Sequence, residues 1–292
     1  MTCSSTTNPA AAAAAPATSS RLDLAFACDP SGKTYISRQY AEYPFHVCRP
    51  HYLDPALPGM ATLYFQSCSG GLFEDDVLAC SIAAKADAAV HITSQASTIV
   101  HSSRRGRPAR HSTVIHAGRN AIVEYLPDPT ILFSHSRLET RLDVIVDATA
   151  SVTASDSFIL HDPDGENKPA ASLTATVCAH GQDGKLLAMD RLSVRGEDLV
   201  PGTPGKMGVW SCHGMLMCFT GVVPPAELCQ GLRMAVAALP SVYCGVSTLP
   251  NNAGAWARFL SGDAASLRTA MHAAWKASRR LLTGHEPANR PK

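Results

Sequence analysis

The sequence lacks an excess of charge of either sign and lacks long apolar runs. Its formal net charge at pH 7 is +1, from 25 Lys and Arg against 24 Asp and Glu. A nucleic-acid-binding protein of this size is usually clearly basic, so we expect no nucleic-acid partner. No run approaches the roughly 18 apolar residues of a transmembrane helix, so we expect no membrane span. The 46% hydrophobic content is nevertheless enough for a substantial core in 292 residues.

The ten cysteines lack the paired spacing of a disulfide framework or a zinc site. Several lie in apolar segments, where a reduced cysteine behaves as a small hydrophobic residue, so a cytoplasmic protein is expected. The twelve histidines show neither HxxxH nor HxH spacing, and the chain has no P-loop for a nucleotide. Residues 1–20 are rich in Ala, Ser, Thr and Pro without a basic start, which predicts a disordered tail rather than a signal peptide.

Most of the first two hundred residues form short segments with the period-two alternation of β-strands. The clearest is 138–147, where Leu138, Leu142 and Val144 share one face and charged residues share the other. Turn sequences separate the segments; one is Asp183-Gly184, which suits a tight hairpin because glycine tolerates positive φ. With no helical pattern between them, these strands predict a mainly β, antiparallel architecture.

Helical periodicity occurs only near the C-terminus. The segment 224–239 begins with two prolines, which a first helical turn tolerates, and continues with an apolar repeat. A second helix is predicted over 263–284, with an N-capping aspartate, an apolar stripe that includes Met271, and a terminal glycine. Arg279 and Arg280 in its last turn would suit the helix dipole. Both helices are expected to pack on the strands.

Three sequence motifs dominate the stretch from Gln66 to Phe133: SGGLFEDD at 69–76, ITSQAST at 92–98 and VEYLPDPTILF at 123–133. In order and spacing they resemble the motifs of the urease accessory protein family UreD, also called UreH. The resemblance covers roughly 21–284, and it extends outward to PFHVCRPHY at 44–52 and CGVSTLP at 244–250.

The resemblance implies both a fold and a function. The fold would be a β-helix-like stack of short strands with two C-terminal helices packed on it, in a single domain over 21–284 followed by a flexible tail at 285–292. The protein would have no active site and no tightly bound cofactor. It would bridge apo-urease and accessory proteins of the UreF type and the GTPase UreG type, and it would help to pass nickel in transit to the urease active site.

The resemblance also assigns candidate site residues. Asp76, Glu124 and Asp156 occupy positions at which the family carries the same acid, and Asp128 follows in the third motif. Glu124 and Asp156 lie in or beside apolar strand sequence, where an unpaired charge is costly, so each needs a partner, water or an ion. Such acids could line an internal passage that holds a divalent cation weakly. The other family-motif residues are Gly70, Gly71, Thr93, Gln95, Leu126 and Pro127.

Cys212 and His213, in the segment WSCHGMLMC, leave open a function of another class, a Cys/His-dependent hydrolase. On a strand the two side chains face opposite sides, so packing in the core is the favoured interpretation. A further alternative is a UreD-like scaffold with no role in metal transfer. The polar stripe of His91, Thr93 and Gln95 and the arginine-rich segment 104–110 are expected to face solvent.

Overall fold

The computed structural model of this chain describes residues 19–162, 170–199 and 206–288. In chain order its strands are β1 Ser19–Cys28, β2 Thr34–Ala41, β3 Phe45–Val47, β4 Ala61–Ser67, β5 Val77–Ala84, β6 Ala89–Ser94, β7 Ile99–Val100, β8 Ala109–Ala117, β9 Ile122–Tyr125, β10 Thr130–Phe133, β11 Arg137–Val146, β12 Ser151–His161, β13 Ser172–Gly181, β14 Leu186–Arg195, β15 Cys212–Thr220, β16 Val242–Thr248 and β17 Gly254–Ser261. The helices are α1 Pro225–Val236 and α2 Ala264–Thr283.

The expected N-terminal tail and the first strand overlap by two residues. β1 begins at Ser19, and Ser20 is already buried. The rest of that expected tail, residues 1–18, lies outside the described residues, as do residues 289–292 of the expected C-terminal tail.

The strands form two sheets, and consecutive strands in the middle of the chain alternate between them. The first sheet has the order β14-β13-β11-β8-β5-β1-β2. The second has the order β16-β17-β15-β12-β9-β6-β4-β3, with β7 and β10 beside it. From β4 to β13 the chain repeatedly adds a strand to each sheet, parallel to the previous strand there. This arrangement confirms the mainly β, β-helix-like stack.

Antiparallel pairing is confined to the two ends of the stack, which corrects the expectation from alternation alone. The predicted hairpin β13–β14 is antiparallel, and so are β1–β2, β12–β15, β15–β17 and β16–β17. The central turns are instead corners at which the chain passes to the opposite sheet. Corners and hairpin turns need the same turn-forming residues, so sequence alternation does not distinguish them.

The main hydrophobic core lies between the two sheets. Parallel register stacks Ile82, Ile115 and Val144 on the first sheet, and it stacks Val90, Val123 and Val152 on the second. All six are fully buried in one cluster. Burial of each such side chain contributes about 1.5–3 kcal/mol, so this core fixes the spacing of the two sheets.

Both helices pack against the second sheet, as predicted from the apolar stripe. The carboxylate of Asp263 accepts a hydrogen bond from the Ser266 N–H at 2.8 Å and caps α2, which ends at Gly284 with φ 79°. Gly214 of β15 leaves room for the helix, because an added Cβ would lie 2.7 Å from the sulfur of Met271 and 2.8 Å from Leu267. Within the described residues, no helix is long and apolar enough to cross a membrane.

Candidate functional site

The three sequence motifs meet at one end of the stack, where β6 and β9 end and β5 begins. We call this end the motif rim: residues 69–76, 95–98 and 126–129. Hydrogen bonds tie its segments together. The hydroxyl of Ser94 accepts from the Asp128 N–H at 2.8 Å, and the carbonyl of Ile99 accepts from the Leu72 N–H at 2.7 Å. The motifs therefore build one local structure.

The second glycine of the motif rim is required by its backbone. Gly71 has φ 131°, which side chains rarely adopt, and a Cβ there would lie 2.4 Å from the carbonyl oxygen of Ile99. Gly70 has open space around its Cα. Only the second position of the Gly-Gly pair is thus restricted by both conformation and close approach.

The motif rim opens into a cavity of about 340 Å³ between the two sheets. Its walls include six of the residues assigned from the sequence: Gly70, Gly71, Gln95, Pro127, Asp128 and Asp156. Asp76, Glu124, Thr93 and Leu126 are not among its lining residues. The sequence motifs thus divide into residues that form the cavity and residues that support its walls.

The cavity has polar groups on both sheets. Cys80 and His111 come from the first sheet, with 3.5 Å between Sγ and Nε2. Thr113 of that sheet lies across from Tyr125 of the second, with 3.3 Å between the hydroxyl oxygens. Burial lowers the pKa of His111 to about 4 and raises the pKa of the Cys80 thiol to about 12. At neutral pH the cavity therefore contains an unprotonated imidazole and a thiol.

Asp156, in the middle of β12, faces this cavity. Burial raises the pKa of its carboxyl to about 6; a hydrogen bond from the Ser157 N–H opposes this shift, and the charge of Asp190 adds to it. At neutral pH the carboxylate is ionised in a poorly solvated place. A cation in the cavity would compensate that charge.

Glu124 lies in a separate cluster of charged groups under α2, with His91, Arg279 and Asp54. We call it the buried charge cluster. Arg279 donates from Nε to Oε1 of Glu124 at 2.6 Å and from Nη2 to Oε2 at 2.5 Å. Nδ1 of His91 lies 2.6 Å from Oε2. Burial would raise the pKa of Glu124, but these bonds outweigh burial and lower the pKa to about 2.

Arg279 also donates from Nη1 to Asp54 at 2.5 Å, so two carboxylates share one guanidinium. Its side chain is 2% exposed, and burial opposes its charge while Glu124 and Asp54 raise its pKa. From the sequence, Arg279 was interpreted only as a cation that suits the C-terminal end of the helix dipole, and its pairing with Glu124 and Asp54 was not predicted. A usable signal was present, because Trp275 precedes Arg279 by one helical turn and both lie on the buried face.

The remaining assigned residues support the backbone. Asp76 accepts a hydrogen bond from the Phe73 N–H at 2.8 Å and holds the turn before β5. Thr93 donates to the carbonyl of Leu126 at 2.7 Å and joins β6 to the third motif. His91 and Thr93 are 3% and 1% exposed, so the expectation that they face solvent is wrong, whereas Gln95 is exposed as expected. Charge pairing and hydroxyl-to-backbone bonds make their burial tolerable.

The acids assigned from the sequence do not converge on one metal centre. Within the described ranges, no group of three or more His, Cys, Asp or Glu side chains is placed to hold a metal ion. Asp128 and Asp156 share the cavity, whereas both oxygens of Glu124 are bonded within the buried charge cluster. The four assigned acids therefore lie at more than one place in the described fold.

Cys212 and His213 of β15 do not form a catalytic pair. Cys212 packs in the core beneath the helices, while His213 stacks on Phe158 of β12, with 5.1 Å between ring centroids. Burial raises the pKa of the Cys212 thiol, which opposes formation of a reactive thiolate. All residues of β15 are buried, which confirms the core interpretation of this segment.

The arginine-rich segment is held against the acidic part of the first motif. Arg105 donates to Glu74 at 3.0 Å, and Arg107 pairs with Asp75. The arginine side chains remain about half exposed, so these are surface ion pairs. They bring together oppositely charged residues of neighbouring loops beside the motif rim.

Comparison with known proteins agrees with this geometry. A family model described as "UreD urease accessory protein" matches residues 18–292. Urease accessory protein UreD 1 of Pseudomonas syringae pv. tomato is 39% identical, over 92% of this chain and 94% of the relative. UreD 1 of Methylorubrum populi is 34% identical, over 89% and 88%, and UreD 2 of Streptomyces griseus is 34% identical, over 90% of each. The chain belongs to the UreD family of urease accessory proteins.

Proposed function

We propose that this protein helps to assemble the nickel centre of urease by bridging apo-urease and accessory proteins of the UreF and UreG types. It does not catalyse a reaction itself. The proposal is supported by family membership and by the division of the fold into a cavity and a rigid helical support. Bridging is a role for a large, stable surface, and the two sheets with their packed helices provide one.

We assign to the inter-sheet cavity the role of passing nickel. One observation supports this assignment above the others: residues of all three sequence motifs meet at a rim that opens into a cavity containing Asp156 and Asp128. Two carboxylates without a third protein ligand suit a cation that must leave again, because a complete ligand set would retain it. Nickel is the cargo here and not a resident cofactor.

Within this proposal, Glu124 and Asp76 act through structure. Glu124 neutralises the buried guanidinium of Arg279, and Asp76 holds the turn that places the Gly-Gly pair at the motif rim. Of the four acids, only Asp156 and Asp128 are assigned direct contact with nickel. This is narrower than the passage expected from the sequence, which included all four acids.

The test compares Asp156→Asn and Asp128→Asn with Asp147→Asn in a urease activation assay. Asp147 accepts hydrogen bonds from Thr149, and neither residue lines the cavity, so this variant controls for the same chemical change. We expect the two cavity variants to bind their partners in a pull-down assay but to activate less urease, with partial recovery at high nickel. Full activation by the double variant would favour the alternative of a scaffold without a metal role.

A further inference from the structure

We infer that Cys80 and His111 form a two-donor contact site for a late divalent transition-metal ion inside the inter-sheet cavity. This inference rests on the proposed passage and deepens it, because it adds a selective site to a route whose other assigned ligands are the carboxylates of Asp156 and Asp128. The ligands are Sγ of Cys80 and Nε2 of His111. Bound water would complete the coordination.

The fold places the two donors on one face of the first sheet. Cys80 of β5 pairs in register with Thr113 of β8, and Leu78 pairs with His111. Cys80 and His111 are therefore diagonal neighbours on adjacent strands, two residues out of register, with their side chains on the same side. Both line the cavity that also contains Asp156.

The distance between the donors suits a metal ion. Sγ and Nε2 lie 3.5 Å apart. For an ion about 2.3 Å from sulfur and about 2.05 Å from nitrogen, this separation gives an S–metal–N angle of about 107°, close to tetrahedral. The ion could thus enter between the two side chains without a change in backbone register.

The surroundings distinguish this pair from ordinary core residues. His111 is half-buried and lines the cavity. The cavity is large enough for several water molecules at about 30 Å³ each. An imidazole coordinates a metal through a ring nitrogen, and Nε2 of His111 is the nitrogen next to Sγ of Cys80. Binding replaces the thiol proton of Cys80 by the metal and releases that proton to water.

The two donors would make the site selective for late transition-metal ions. Carboxylates bind Mg²⁺ as well as Ni²⁺, whereas thiolate and imidazole favour late transition metals. With only two protein ligands, the site would bind weakly and exchange readily. It would therefore select the cargo without retaining it.

The test is a Co²⁺ titration of the full-length protein in the presence of excess Mg²⁺, followed by thiolate-to-metal charge-transfer absorption and proton release. We expect a charge-transfer band in the unmodified protein, and an affinity that rises about tenfold per pH unit because one proton is displaced. Cys80→Ser should abolish the band. His111→Gln should weaken binding at least tenfold, since loss of a mere supporting group typically costs about 10–100-fold.

Cys218→Ser is the matched control, because Cys218 is equally buried but lies under the helices, outside the cavity lining. It should retain the band. Absence of a band in the unmodified protein, or its persistence in Cys80→Ser, would overturn the inference. The passage is tested separately: if the band is absent while Asp156→Asn still impairs activation, only the Cys80–His111 site fails. If the band follows Cys80 while the cavity acid variants activate fully, the metal site holds and the passage fails.

Discussion

Arg279 and Glu124 form a bidentate ion pair across 155 positions of sequence, with both carboxylate oxygens bonded at 2.6 and 2.5 Å. Each side chain is 2% exposed. The pair joins the last helix to the central strand β9 and explains how a glutamate is accommodated in an apolar strand.

Glu124→Gln should destabilise the protein by about 3–5 kcal/mol, because it leaves a buried guanidinium without half of its compensating charge. The control is Glu139→Gln, whose half-exposed ion pair with Arg110 contributes about 1 kcal/mol or less. Urea unfolding of both variants measures the difference. Equal stability of the two variants would mean that the buried charge cluster does not hold α2 in place.

Asp156→Asn should stabilise the protein at neutral pH, and the gain in stability should depend on pH. The folded pKa of Asp156 is raised from 3.8 to about 6, so the folded state binds the proton more tightly. The ionised carboxylate of Asp156 therefore lowers the free energy of unfolding of the unmodified protein. This cost is absent below the unfolded pKa, grows between pH 4 and 6, and reaches about 1–3 kcal/mol above that range. Melting temperatures should therefore coincide near pH 4, and the variant should be the more stable at pH 7. A difference that does not vary with pH would contradict the assigned ionisation.

Met271→Asp should lower the melting temperature by several degrees, because the half-buried Met271 packs over Gly214 of β15 and a carboxylate there would lose part of its hydration without gaining a partner. Thr269→Asp introduces the same charge on the exposed side of α2 and should have little effect. Thermal unfolding followed by circular dichroism compares them. Loss of partner binding in Met271→Asp at an unchanged melting temperature would instead assign this face of α2 to an interface.

Gly71→Ala should be destabilising by about 1–3 kcal/mol or more, since it combines an unfavourable φ with a contact to the Ile99 carbonyl. Gly70→Ala, at the preceding residue, has open space and should be nearly neutral. Denaturation curves compare stability, and urease activation tests whether the motif rim is altered. If both variants behave alike, the restriction at Gly71 has been overestimated.

Local chemistry was sufficient to predict the individual elements. The alternation over 138–147, the Asp183-Gly184 turn and the caps of α2 each depend on neighbours in sequence, and each was confirmed. The direction of strand pairing was not predictable in this way. Whether a turn closes a hairpin or leads to the opposite sheet depends on which surface the next strand buries, and the alternation pattern is the same in both cases.

Residues of the candidate site could be predicted where they belong to a sequence motif. They could not be predicted where the register between neighbouring strands brings distant residues together. Asp128 and Asp156 were identified as candidate acids and line the cavity. Cys80 and His111 lie 31 positions apart, and only the parallel register of β5 against β8 brings them together. The partner of Glu124 was missed because Arg279 also satisfies the simpler expectation of a cation near a helix C-terminus.

The ion pair between β9 and α2 has a consequence for biosynthesis. The ribosome makes Glu124 and Asp54 long before Arg279, so the central strands of the emerging chain precede the guanidinium that both carboxylates bind. The last helix therefore completes the buried charge cluster. A chain that terminates before α2 leaves Glu124 and Asp54 without Arg279, and we expect proteases to degrade such a product rapidly.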